Sequence, residues 1–322
     1  MRKKIKQVII TGAGASIPYY FPSGNKLFKN ITENFYSYAN KYYSENVNFI
    51  NNGKEIELPR IKKYIESLQG ISGITIDKYL NINRHYLELG IESICAEILR
   101  FEKESVNSMN ASIDCDWYTY LFSKMLDGLD TIEEIENEFD NNLSIITFNY
   151  DRSFENFIYN NLYKILCGTE LDDNKIKEIV NKLPVTHVYG KVGFLPWQKN
   201  VASQEIVNFG GNSDYFYADA KVIKKHVNVI YQSRMENEQI INAKKQISEA
   251  DRVLFIGFGF DKSNIDVLDL PNLLEKKRVF ASAYKQTENE IVHIKKTLCP
   301  SNKLLTIKDC DCLMLLRDYL IV

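Results

Sequence analysis

The sequence predicts an α/β fold: a doubly wound, mostly parallel, Rossmann-like sheet with a large helical insertion. Three observations lead there. Short aliphatic runs such as Gln7-Val-Ile-Ile-Thr11, Leu143-Ser-Ile-Ile-Thr-Phe148 and Arg252-Val-Leu-Phe-Ile256 read as strands buried on both faces. Through the second half of the chain, such runs alternate with amphipathic helical stretches, the pattern of parallel strands joined by crossovers. A long helical stretch separates the first run from the second.

The elements follow in order. After the first strand, Gly12-Ala-Gly-Ala-Ser16 carries almost no side-chain bulk. Leu27, Ile31, Phe35, Tyr38 and Tyr42 then recur at helical spacing. Ile61, Ile65 and Leu68 form the next stripe, with Pro59 expected near the helix start. Leu87, Ile91, Ile94, Ile98 and Phe101 form another, and Trp117 to Phe139 a further one, dense in Glu towards its end. Beyond the second strand, Phe154, Phe157, Ile158, Leu162 and Ile165 mark a helix. Pro184-Val-Thr-His-Val-Tyr189 is a short strand, Ile240 to Ala250 a helix, and Arg278-Val-Phe-Ala-Ser-Ala-Tyr284 a strand. Thr287-x-x-Glu290 is a capping box opening the helix of Ile291, Ile294 and Leu298. Leu304 to Ile307 reads as a last strand before a C-terminal helix. Residues 191–235, rich in Asn, Tyr and Gly, have no assignable period. One domain over 1–322 is expected, its core drawn from about 1–25 and 141–322 and its helical insert from about 26–140.

Composition narrows the function classes. At 322 residues, 45% hydrophobic and 25% charged, the chain is of ordinary globular type rather than fibrous or disordered. Lys plus Arg number 40 against 42 Asp plus Glu, so no basic nucleic-acid surface and no direct nucleic-acid binding is expected. Val8-Ile9-Ile10 is too short for a secretory core, and no later run reaches about 18 apolar residues. A cytoplasmic location without membrane association is the expectation. The six cysteines (95, 115, 167, 299, 310, 312) contain no C-x-x-C pair and read as reduced thiols, so no metal site is expected.

Five strand ends carry the residues that suit chemistry. Gly12-x-Gly14-x-Ser16 lets backbone approach a pyrophosphate and offers amides to negative charge, although a ligand-free tight turn has the same look, and Ile17 stands where the usual third glycine falls. Asn149-Tyr150-Asp151 lies past the second strand, where open α/β sheets bind ligands, yet Asn149 or Asp151 could equally cap the next helix. His187 sits at the third strand end, either as a structural histidine or as a proton acceptor near neutral pH. Gly257-Phe-Gly259-Phe260-Asp261 closes the fourth strand, with Asp261 suited to sugar hydroxyls or to a cap. Tyr284 and Lys285, ending the next strand, are placed to flank an adenine. Convergence of several such ends on one sheet edge is harder to obtain from capping alone.

In this order, Ile10-Thr-Gly-Ala-Gly-Ala-Ser16, Thr147-Phe-Asn-Tyr-Asp151, His187-Val-Tyr-Gly190 and Gly257-Phe-Gly-Phe-Asp261 resemble sirtuin-like domains. The resemblance is closest to the bacterial branch that acts in phage defence by hydrolysing NAD. Ser72-Gly-Ile-Thr-Ile-Asp77-Lys-Tyr-Leu80 is similar to a motif in the helical insert of that branch. The resemblance implies NAD as substrate, with Gly12, Ala13, Gly14, Ala15 and Ser16 along the pyrophosphate and nicotinamide ribose. It implies Asn149 on the ribose hydroxyls or the attacking water, Asp151 at the nicotinamide carboxamide, and His187 as the catalytic histidine. Gly257, Gly259, Phe260 and Asp261 would face the adenosine half, with Tyr284 and Lys285 beyond.

Two departures bear on activity. Sirtuin deacylases carry two zinc-binding cysteine pairs, and this chain has none, which argues against deacylation. Phe21-Pro-Ser-Gly-Asn25 lacks both the Asp-Phe-Arg of deacylases and the Trp common in the defence branch. The expected function is therefore an NAD glycohydrolase, a regulated effector of antiviral defence that forms nicotinamide and ADP-ribose with no metal. A regulatory partner protein, a nucleotide signal or homo-oligomerisation would hold it in check. The alternatives are a non-catalytic NAD or ADP-ribose sensor and, less favoured, an NAD-dependent protein deacylase.

Overall fold

A computed structural model describes residues 5–46, 53–108, 114–169, 171–198, 202–229 and 237–321. Six parallel strands form one sheet: β1 (Gln7–Thr11), β2 (Leu143–Thr147), β3 (Val185–His187), β4 (Arg252–Ile256), β5 (Arg278–Ser282) and β6 (Leu305–Lys308). Their order is β3-β2-β1-β4-β5-β6, the Rossmann-like arrangement. The first strand in sequence thus lies inside the sheet, and the order reverses between β1 and β4.

Both faces of the sheet are covered, which explains why the central strands are apolar at almost every position. Val8 and Ile10 of β1 join one buried cluster with Ile146, Val253 and Phe255. Ile9 points the other way, into a second cluster with Ile145, Leu254 and Ile256. The helices between β1 and β2 divide between these clusters. α2 (Gly24–Glu45), α3 (Gly53–Leu68), α4 (Ile76–Ile82) and α5 (Leu87–Ser108) follow α1 (Ala13–Ser16) and contribute to the first. α6 (Trp117–Met125) and α7 (Ile132–Asn141) contribute to the second, with α8 (Ser153–Leu166) and α9 (Asp173–Lys182). Leu27, Ile31 and Phe35, and Ile61, Ile65 and Leu68, are buried as their spacing requires.

Three sequence expectations need correction or completion. Pro59 is not near a helix start but inside α3. It is tolerated because it is exposed, and so is Glu55, whose carbonyl loses its helical partner to the missing N–H and can turn to water. The glycine turn opens not a long helix but the single turn of α1, which passes into a 3-10 turn over Ile17–Tyr19 and ends at Tyr20 in the left-handed region (φ 71°). Within the unassigned stretch lies α10 (Phe216–Ile223), packed on α2 and α5, with bridges Gly190–Val227 and Phe194–Ile206. Residues 199–201 and 230–235 of it lie outside the described residues. α11 (Glu238–Glu249), α12 (Lys262–Val267), α13 (Leu270–Leu274), α14 (Glu288–Leu298) and α15 (Cys312–Tyr319) complete the molecule. The Thr287–Glu290 capping box forms as read. No helix among the described residues is long and apolar enough to cross a membrane.

One buried ion pair ties the helices to the sheet edge. Arg152 and Glu102 are both fully buried. Glu102 accepts from the Arg152 backbone N–H (3.0 Å), from Nε (3.1 Å) and from Nη2, and also from the Gly210 N–H (3.0 Å). The guanidinium donates further to the carbonyls of Val207 (2.7 Å) and Asn208 (3.0 Å). Two charges can lie in the interior only with this density of partners. Replacing Glu102 by Gln strands the guanidinium, so unfolding in urea should show a loss of about 3–5 kcal/mol. A loss below about 1 kcal/mol would contradict this role.

Candidate functional site

Strand register brings the predicted segments together. Thr11 pairs with Thr147 on one side and Ile256 on the other, and Thr147 pairs with His187. The residues after Thr11, Thr147 and Ile256 therefore leave the sheet side by side, next to the point where strand order reverses. That is where open α/β sheets bind ligands. A cleft of about 570 Å³ lies there, within the usual range for ligand sites. Gly12, Ala13, Ser16, Asn149 and Asp151 line it, Gly259, Asp261 and Asn264 stand on the β4 side, and Thr75, Asp77 and Lys78 of the helical insert close it opposite.

The glycines have a structural reason that does not involve a ligand. The Gly14 N–H donates to the Gly257 carbonyl (2.9 Å) and the Ala15 N–H to the Gly12 carbonyl (2.9 Å), so these amides are spent inside the protein. A Cβ on Gly14 would lie 2.8 Å from the Gly257 Cα, and one on Gly257, which is left-handed (φ 57°), would lie 2.0 Å from the Ala15 nitrogen. The turns after β1 and β4 touch backbone to backbone, and only glycine permits it. Gly259 differs: it lines the cleft, and a Cβ there meets nothing.

Asn149 does not cap α8. Its Nδ2 donates to the Gly12 carbonyl (3.0 Å) and to Ser16 Oγ (2.9 Å), binding the second strand end to the first. Ser16 Oγ in turn donates to Asp151 Oδ2 (3.1 Å). Asp151 Oδ1 accepts from the Ser153 N–H (3.1 Å) and from its hydroxyl, so Asp151 both lines the cleft and holds the first residue of α8, whose N-cap is Arg152. Burial raises the Asp151 carboxyl above its ordinary range, against the pull of the Ser153 bonds.

His187 lies behind Asn149. It is 4% exposed and is absent from the cleft lining. Nδ1 is 2.9 Å from the Asn149 carbonyl and Nε2 is 2.9 Å from Glu155 Oε1. Both partners are protein oxygens, so each ring nitrogen faces the protein interior rather than the cleft, where a substrate proton would be. Glu155 also accepts from Lys191 Nζ (3.0 Å). Burial opposes its ionisation, but the imidazole and ammonium outweigh that and hold the carboxyl well below the usual range.

The remaining predicted residues fall as follows. Asp261 lines the cleft and also caps α12, accepting from the Ser263 N–H (2.8 Å). Phe260 (φ 52°) turns inward onto Phe255 and Phe258 rather than towards the cleft. Tyr284 is exposed, with Lys285 Nζ over its ring (5.0 Å), and neither lines the cleft. The β5 end contributes Ser282 instead, whose Oγ accepts from the Gly257 N–H (3.2 Å). Their positions follow from a strand boundary at Ser282, earlier than Tyr284.

Sequence reasoning missed the far wall. Tyr150 OH donates to Asp77 Oδ1 (2.7 Å), and Tyr189 OH to Asn264 Oδ1 (2.6 Å). Burial raises Asp77, with the Tyr150 bond acting the other way. The resemblance had marked Ser72–Leu80 as a motif of the helical insert without placing it on the cleft; within it Thr75 caps α4, accepting from the Lys78 N–H (3.3 Å). Comparison with protein-family models and with curated proteins finds no match, so geometry carries the functional argument.

Two outcomes test this construction. Gly257→Ala should cost more than about 2 kcal/mol in thermal or urea unfolding, whereas Gly259→Ala should leave stability within about 0.5 kcal/mol. Equal effects would refute the contact between turns. Because the folded Glu155 carboxyl is depressed, its stabilisation is full above the ordinary range of about pH 4.3 and is lost as pH falls through the folded value. The gap in unfolding free energy between wild type and Glu155→Gln should therefore be largest near about pH 7 and shrink towards about pH 3. A gap independent of pH would contradict the ion pair.

Proposed function

We propose that the chain is an NAD glycohydrolase, releasing nicotinamide and leaving ADP-ribose. The observation that carries this reading is one continuous cleft at the strand-order reversal, reached by the turns after β1, β2 and β4. A dinucleotide laid across two mononucleotide-binding halves needs that arrangement. The resemblance of the same turns to sirtuin-like NAD hydrolases supports it, and through that resemblance a role as a regulated defence effector.

The chemistry asks little of the protein. The bond from ribose C1′ to the pyridinium nitrogen breaks with its electron pair passing to nitrogen, so nicotinamide leaves neutral. Positive charge moves onto the ribose as an oxocarbenium ion, as in glycoside hydrolysis. Water adds to C1′ and gives its proton to solvent. Asp261 in the lining favours positive charge, whereas burial works against the charged forms of Asp77 and Asp151 beside it. Asn149 spends Nδ2 on Gly12 and Ser16, so its Oδ1 is the end offered to a ribose hydroxyl or the attacking water. His187 then acts as a positioning residue that holds the Asn149 backbone, not as the proton acceptor first expected.

Purified protein incubated with NAD, with free nicotinamide measured by chromatography, tests the proposal. Asn149→Ala should lower turnover at least about 100-fold, the scale of losing one oriented polar group. His187→Gln, which keeps one donor, should retain clearly more activity than His187→Ala. A base role predicts that both are equally inactive. Full turnover by Asn149→Ala overturns the assignment. The sensor reading gains from the position of His187, whose two ring nitrogens both face protein oxygens, and NAD binding by the wild-type chain with no nicotinamide release would establish it.

A further inference from the structure

We propose that Lys78 of α4 binds the diphosphate of the dinucleotide, so that the helical insert, and not the glycine turn, supplies the charge that selects a diphosphate-bearing ligand. This rests on the reading of the cleft as a dinucleotide site. It does not depend on which way round the ligand lies, because the diphosphate stands in the middle of a dinucleotide.

A diphosphate is a dianion, and a dianion leaving water needs positive charge beside it. The glycine turn is poorly placed to supply it. Its Gly14 and Ala15 amides are engaged inside the protein by the carbonyls of Gly257 and Gly12. Other backbone amides at the strand ends offer dipoles but no net charge. Asp261, on the β4 side of the cleft, repels a phosphate. Among the described residues Lys78 is the one cation in the lining. The lysines that follow the β3 and β4 turns are neutralised elsewhere: Lys191 Nζ lies 3.0 Å from Glu155 Oε1, and Lys262 Nζ lies 3.1 Å from Asp266 Oδ1.

Lys78 combines a fixed backbone with a free head. Its N–H donates to Thr75 Oγ1 (3.3 Å), the cap of α4. Its neighbours in sequence hold the helix in place. Asp77 Oδ1 accepts from Tyr150 OH (2.7 Å), which ties α4 to the turn after β2, and Tyr79 is buried in the core. The Lys78 side chain itself is exposed, and among the described residues its ammonium has no ion-pair or hydrogen-bond partner. Such an ammonium gives up no protein contact when a phosphate arrives, and the new contact is a charge-assisted hydrogen bond. Lysine meets phosphate as a point charge, so the cation, rather than a particular fork of donors, is what the site requires.

Calorimetric titration of the full chain with ADP-ribose tests this without turnover, in EDTA so that no divalent ion replaces the lysine. Wild type should bind saturably. Lys78→Gln, an exposed change that keeps helix propensity, should bind at least about tenfold more weakly. Lys78→Arg should restore affinity to within about threefold of wild type. Lys262→Gln, which removes the same charge from a neighbouring turn, should stay within about twofold. Raising salt from about 0.05 M to about 0.5 M should weaken wild type more than Lys78→Gln. Unchanged affinity in Lys78→Gln, an equal loss in Lys262→Gln, no rescue by Lys78→Arg, or the same salt response in wild type and Lys78→Gln would each overturn the proposal and leave the hydrolase reading standing. No saturable binding by the wild type would overturn it too, and the dinucleotide reading falls with it only where the same sample also releases no nicotinamide from NAD.

Discussion

The buried pair of Arg152 and Glu102 is the constraint on which the cleft depends. Two unexposed charges force their neighbours to supply partners, and those partners come from three distant places: α5, the turn after β2, and the loop at residues 207–210. Arg152 directly follows Asn149, Tyr150 and Asp151, so anchoring it anchors them. The members of that run are then held in turn: Asn149 and Asp151 both by the β1 turn through Ser16, Tyr150 by Asp77 of α4, and Asp151 also by Ser153. A side chain with no place in the lining thereby sets the geometry of those that line it. A pair of this kind adds little net stability compared with apolar packing, and its contribution is one of position.

The sheet and its helices were legible because the physics there is local. Ile9 and Ile10 point to opposite faces, both covered, so β1 shows an unbroken apolar run. Leu27, Ile31 and Phe35 face one core and therefore repeat at helical spacing. Pro59 misled because the reading weighed the intrinsic cost of proline and not exposure, which lets water take the orphaned carbonyl. Residues 191–198 resisted assignment because their backbone is satisfied by single bridges, which leave no period to detect.

The site was legible only in part, for a different reason. Glycine at a strand end signals that something approaches the backbone closely, but not what. For Gly14 and Gly257 the answer is each other, and only Gly259 is left open towards the cleft. His187 was conspicuous by residue type and position, but the acceptors that occupy both ring nitrogens, Asn149 and Glu155, are 38 and 32 residues away in sequence. Asp77 lies 73 residues from the Tyr150 it meets, and no local pattern announces such a contact.

Strand order also has a consequence for how the chain is made. β1 precedes both of its sheet neighbours, residues 143–147 and 252–256, in the chain and is synthesised before either. An apolar strand destined for the interior must therefore wait for both of its partners, covered only by whichever helices have already formed. Pairing across such separations is long-range, the kind of contact whose loop-closure cost slows folding and leaves an apolar strand unpaired in the meantime.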